Sequence, residues 1–178
     1  MSLQRRVAWR AALMAALVLQ GCTPALDWRV VRPAGSQLEL SFPCKPSAQQ
    51  RQVRLAGRPL RLALHACAAA GQTWGLAFAD VADPMQVAAA LADLRASAAS
   101  NIAAPAALRS EPAQVRGATP NALSQRTWLA GRLPDGQAVA MQVVVFTYGM
   151  RVFQATALGA ALSDEAADAF FNAIQVLP

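Results

Sequence analysis

Three stretches of this chain place apolar residues at every second position. Leu38, Leu40 and Phe42 alternate with Glu39 and Ser41. Leu60, Leu62, Leu64 and Ala66 alternate with Arg61, Ala63, His65 and Cys67. Trp74, Leu76 and Phe78 do the same with Gly75 and Ala77 between them. Successive side chains leave a strand on opposite sides, so a period of two puts all the apolar residues of a stretch on one face. A helix would scatter the same residues around its circumference. Turns as short as Gly57-Arg58-Pro59 join antiparallel neighbours, because parallel strands need a long crossover.

Val143-Val144-Val145-Phe146 is apolar at every position, which suits a central strand covered on both faces. Pro134-Asp135-Gly136 is a turn signal, and Tyr148-Gly149-Met150 is read as a second turn. They divide the second half into strands over 124–133, 138–147 and 151–157, the last of these expected to end the strands. Residues 52–55 read as a strand too, 47–50 as loop, and 101–120 as a long surface loop with a short strand near 114–116.

Two helices carry start signals. Asp83 is placed to cap the first, with Pro84 in its first turn and Gln86 able to reach back. Val87, Ala90, Leu91, Leu94 and Ala98 then recur three or four apart as its buried stripe. Ser163 is placed to cap the second, with Asp164 and Glu165 at its positive end. Its expected stripe is Ala166, Ala169, Phe170, Ala173, Ile174 and Leu177, with Phe171 beside it. The whole reads as an α+β domain of strands, helix, strands, helix. Its sheet is mostly antiparallel, of about six to eight strands, and an α/β/α sandwich is one way to stack it. Leu55-Ala56-Gly57-Arg58 recurs as Leu129-Ala130-Gly131-Arg132, which hints at a duplicated strand-strand-helix unit, although four abundant residues match easily by chance.

The N-terminal stretch says where such a chain would reside. Arg5, Arg6 and Arg10 precede nine apolar residues, Ala11 to Leu19, before the chain turns polar at Thr23-Pro24. That is the layout of an export signal. The run is far short of the roughly 20 residues of a membrane-spanning helix. Leu19-Gln20-Gly21-Cys22 resembles the lipobox of bacterial lipoprotein precursors, departing from it at Gln20, where a smaller residue is usual. The resemblance implies cleavage before Cys22 and a diacylglycerol on its sulfur. It also implies an acylated amino group, with fatty acids such as palmitate. Several chains make membrane detachment rare. Thr23, in place of Asp, implies transfer to the outer membrane, facing the periplasm. An ordinary secretory signal cut near Ala25 and an uncleaved anchor are the alternatives. The division of the chain is then 1–21 signal peptide, 22–35 lipid-anchored tether with a short first strand around Trp28, and 36–178 one α+β domain.

The end of the domain also resembles small uncharacterised envelope proteins at Phe42-Pro43, Val152-Phe153-Gln154 and Phe170-Phe171. Its element order is similar to that of the PsbP/Mog1-like α/β/α sandwich. These motifs are structural and imply no catalytic residue.

Charge excludes one class of partner. The formal charge is +6, with sixteen basic and ten acidic residues in 178. Three of the basic residues lie in the signal and no acidic one does, so thirteen against ten remain, an excess of +3. The arginines are scattered, whereas nucleic-acid binders concentrate charge on one face. No nucleic-acid partner is expected.

With Cys22 lipidated, Cys44 and Cys67 remain. An even pair in an oxidising compartment reads as a disulfide, and closing a loop of about 24 residues would stabilise the fold by roughly 3 kcal/mol. Free thiols, or metal or redox chemistry drawing in His65, are the alternatives. No metal is expected, because a closed site needs a fourth ligand and His65 is the sole histidine.

Catalytic constellations do not emerge. A hydrolytic triad needs a histidine beside a nucleophile, and no Gly-x-Ser-x-Gly elbow occurs. Residues 71–75 lack the Gly-Lys-Ser/Thr ending of a phosphate loop. Asp80 and Asp83 are the nearest thing to a carboxylate pair, but Asp83 is accounted for as a cap. Asp164, Glu165 and Asp168 read as a solvated helix start. Arg51, Arg54, Arg58 and Arg61 form the densest basic patch, a candidate contact for anionic lipids or polymers and otherwise a solvated hairpin face. The reading is a lipid-anchored envelope protein held to the membrane through Cys22. Its role is a non-catalytic binding or accessory module, with an envelope protein as a candidate partner and no cofactor. Two alternatives stay open. One is an envelope enzyme or redox protein using His65 or Cys44/Cys67. The other is a lipid or small-ligand carrier.

Overall fold

Each alternating stretch forms a strand in the computed structural model, which describes residues 25–177. The expected signal and Cys22 lie outside the described residues. Strands β1 (Arg29–Val31), β2 (Leu38–Phe42), β3 (Ser47–Leu55), β4 (Arg58–Ala69) and β5 (Gln72–Asp80) come first. A 3-10 turn (Pro84–Gln86) leads into helix α1 (Val87–Asn101). Strands β6 (Ala107–Pro112), β7 (Gln125–Arg132), β8 (Ala138–Tyr148) and β9 (Arg151–Gly159) follow, then helix α2 (Asp164–Asn172) and β10 (Gln175–Val176). Seven strands make one antiparallel sheet in the order β3-β4-β5-β9-β8-β7-β6. A small antiparallel sheet, β1-β2-β10, stands apart from it. The fold is α+β, mostly sheet, with two main helices.

Alternation along the central strands gives the large sheet two different faces. Trp74, Leu76, Phe78, Phe146, Phe153, Ala155 and Ala157 point to one, where α2 and the small sheet cover them. Aromatic rings dominate this side: Phe170 of α2 meets Phe42 and Trp74, each at 5.3 Å between ring centroids. Met141, Val143, Val145 and Val152 point to the other face, where Val87, Ala90, Leu91, Leu94 and Ala98 of α1 cover them. That core is aliphatic. Apolar-on-both-faces β8 therefore has a cover on each side, as its composition requires.

Several local features follow the sequence chemistry. The Asp83 carboxylate accepts from the Met85 N–H at 2.9 Å, and the Ser163 hydroxyl from the Ala166 N–H at 3.2 Å. These satisfy backbone donors that a helix start leaves orphaned. Cys44 and Cys67 form a disulfide with their Cα atoms 5.9 Å apart. It ties the loop after β2 to β4, and so the small sheet to the large one.

Other expectations are corrected. Residues 47–50 are strand, not loop: β3 is an exposed edge whose one-sided pairing needs no apolar alternation. The strand expected near 114–116 lies instead at β6, and Arg116 makes only an isolated bridge to Gln175. Gln86 makes no side-chain cap. Helix α2 stops at Asn172, so the chain turns extended and Gln175–Val176 completes the small sheet as a strand after the one expected to be last. The shorter helix buries Ala167 with Ala166, Phe170 and Phe171, and leaves Ala169 exposed. Leu55-Ala56-Gly57-Arg58 spans a turn, whereas Leu129-Ala130-Gly131-Arg132 lies within β7. The two copies thus have different conformations. Residues 25–35, expected mainly as tether, are partly packed: Leu26 and Val31 rest on the core.

Candidate functional site: a groove between the first helix and the sheet

The register of the central strands places three rows of side chains side by side on the α1 face. Ala66, Gly75 and Thr156 form one row; Leu64, Ala77 and Gln154 form the next; Arg51, Leu62, Ala79 and Val152 form a third. Helix α1 packs its stripe over β8 and β9. Ala79 and Val152 of the third row are buried, while the first two rows border a gap where they cross β4 and β5. The residues there are small. A β-carbon built on Gly75 would stand 2.9 Å from Thr156 Oγ1. A groove of about 440 Å³ results, walled by the C-terminal half of α1 on one side and by β3 on the other. It falls within the roughly 300–1,000 Å³ of small-molecule sites.

Its chemistry is mixed in an ordered way. Val53, Leu62, Leu64, Leu94 and Met141 supply apolar wall. Thr73, Gln154, Thr156, Ser97 and Asn101 supply neutral polar groups, and Arg51 a guanidinium. Ala56 N–H donates to Asp93 Oδ2 at 2.7 Å, fixing the β3–β4 turn to α1 and with it the spacing of the walls. None of the five neutral side chains has a side-chain hydrogen bond among the described residues. Thr73, Ser97 and Asn101 are exposed at the rim and Gln154 and Thr156 are half-buried on the floor, so their donors and acceptors are open to solvent or to a ligand.

The residues singled out from sequence are dispersed by the structure. Strand alternation puts Arg51 and Arg58 on the α1 face and Arg54 and Arg61 on the opposite one. Arg54 Nη1 donates to Gly57 O at 2.9 Å, and Arg51 reaches only Gln49 Oε1, at 3.5 Å. Of the four, Arg51 lines the groove and Arg54 touches its rim from the far side of the edge strand. His65 faces away from the groove and stacks on Phe78, ring centroids 6.1 Å apart. Burial lowers its pKa below the ordinary 6.5. The disulfide removes both thiolates that a metal set with His65 would require. Asp80 is clasped by Arg151, Nε to Oδ1 at 2.6 Å and Nη2 to Oδ2 at 2.8 Å, and Asp83 caps the 3-10 turn.

On the opposite face, Arg126 lies between Trp128 and Phe171, its Cζ 4.6 and 4.9 Å from their ring centroids. It donates to Gln142 Oε1 and, at 2.6 Å, to Asp168 Oδ1, while Gln142 Nε2 donates to Asp164 Oδ1 at 2.7 Å. Asp164 and Asp168, expected to be merely solvated, thus fasten α2 to the sheet, while Glu165 is exposed as expected. This cluster pairs its own polar groups.

Sequence reasoning did not find the groove. One signal for it is present: β9 carries Gln154 and Thr156 between Val152 and Leu158. Polar side chains on the inward face of a strand paired on both edges are unusual, but recognising them requires knowing that β9 is central. No protein-family model matches this chain, and no curated protein matches it. Among the described residues no helix is long and apolar enough to cross a membrane.

Proposed function

We propose that this protein is a cell-envelope lipoprotein, tethered through Cys22 to the periplasmic face of the outer membrane, and that it is a non-catalytic binding module. The observation that carries the binding role is the groove. It combines an apolar wall, five neutral polar side chains without internal partners, and one guanidinium. Its size favours a small ligand over a docked protein partner, which brings the carrier reading to the front. The lipobox-like Leu19-Gln20-Gly21-Cys22 supports the location, and the Cys44–Cys67 bridge suits an oxidising compartment. A redox role for that bridge has less support, since it joins two sheets as a structural tie.

Mass spectrometry of the native protein tests the anchor. The expected N-terminal peptide begins at Cys22 and carries a diacylglycerol and an amide-linked acyl group. Fractionation is expected to place the protein with outer membranes. An unmodified Met1, or recovery from the cytosol, would overturn the location. Extraction of small molecules from the purified protein tests the binding role.

A further inference from the structure

We infer that the α1–sheet groove binds a single-chain amphiphile with an anionic head, the head on Arg51 and the chain along Leu62, Leu64, Leu94 and Met141. This deepens the binding-module reading and rests on it. Charge decides the head group. No carboxylate lines the groove, Arg51 and Arg54 do, and Arg54 is turned to the Gly57 carbonyl. Arg51 has no ion pair among the described residues. A guanidinium forks onto a carboxylate or phosphate through two parallel N–H donors.

Shape and lining decide the rest. No Phe, Tyr or Trp lines the groove, and His65 meets it through its carbonyl oxygen, 3.8 Å from a β-carbon built on Gly75. There is no ring for a sugar or a base to stack on. What remains is aliphatic wall over a floor of Gly75, Ala77 and Ala66, which fits a flexible chain. A volume of about 440 Å³ is near the low end for ligand sites and fits one chain better than two. A fatty carboxylate and a single-chain lipid phosphate share this chemistry.

Methyl NMR of the mature protein in neutral-lipid nanodiscs tests the assignment. The chain has five methionines: Met1, Met14, Met85, Met141 and Met150. Three methyl signals mean the leader was removed and four or five, with or without the initiator Met1, mean it was not, so failure of the export reading is visible before any ligand is added. The probes are decanoate, decyl phosphate, decanol and decyltrimethylammonium. Decanoate or decyl phosphate should shift Met141 saturably and leave exposed Met85 and Met150 still, and whichever binds more tightly identifies the head group. Shortening the chain should weaken binding about two- to fourfold per CH₂. Arg51→Gln should weaken the anion at least fivefold and leave decanol unchanged. Ser97→Trp, on the exposed wall of α1, should block both, with each variant's thermal midpoint confirming its fold. Equal binding of the cationic probe, indifference to Arg51→Gln, or a Met141 signal that no anion moves would overturn the inference.

Discussion

Thr156 stands directly across from Gly75 in the β5–β9 ladder, and a β-carbon on Gly75 would come within 2.9 Å of its Oγ1. The two residues share one space, and the groove floor is open because glycine leaves it so. Gly75→Ala should cost about 1 kcal/mol as the threonine is forced to rotate. Adding Thr156→Ser should restore most of that, since serine lacks the second branch and swings away. The coupling is read from urea midpoints in a double-mutant cycle; simple additivity of the two changes would contradict the shared-space account.

Gly131 is constrained more severely. A β-carbon there would lie 2.0 Å from the Ile102 carbonyl oxygen, and that oxygen accepts from Arg132 N–H at 2.6 Å. Backbone cannot rotate aside as a hydroxyl does. Gly131→Ala should destabilise by about 3 kcal/mol or more, measured by chemical unfolding. A loss under about 0.5 kcal/mol would mean that α1 ends further from β7 than described.

Removing the disulfide by Cys44→Ala with Cys67→Ala should lower stability by about 3 kcal/mol, the chain-entropy value for its loop. The small sheet should loosen first. Hydrogen exchange at β1 and β2 is therefore expected to rise more than at β8. Uniform protection across both sheets would show that packing alone holds them together.

His65 gives a pH dependence with a definite sign. Its burial lowers its pKa from 6.5, so just below that pH the unfolded chain binds a proton that the folded chain refuses. Stability must then rise with pH across the window between the lowered value and 6.5. His65→Gln should flatten this segment of the curve. Glu39 acts at lower pH: its hydrogen bonds, from Arg32 first and Gln175 second, lower its pKa from 4.5. Its contribution is present above that value and is lost as the pH falls through the lowered one. A slope near pH 6 that survives His65→Gln would assign the titration to another group.

The sequence was most readable where one face of an element is buried. Leu38, Leu40 and Phe42, and the Val87 to Ala98 stripe of α1, lie where their spacing placed them. It was least readable at the sheet edges. Ser47 to Gln50 and Ala107 to Pro112 are exposed strands held by backbone bonds to one neighbour, and such bonds leave no trace in side-chain pattern. The end of α2 was misread because Ala169, Ala173 and Leu177 continue a helical spacing that the demand of β2 for a partner overrides. The groove was hidden for a related reason. It is made by rows across strands distant in sequence, so neither Gly75 nor Thr156 carries its meaning alone.

The central place of β9 has a consequence in time. It pairs with β5 on one side and β8 on the other, yet it is the last long strand to be made. A chain emerging N-terminus first completes the β3-β4-β5 half early and must hold the inner edge of β5 free until the β8–β9 hairpin is made. Asp80 and Arg151, 71 residues apart in the chain, mark the two ends of that wait, and their ion pair closes across the seam. Over that interval the inner edge of β5, already paired with β4 on its other side, stands open, and a passing helper or a crowded neighbour would have its best opportunity to capture it.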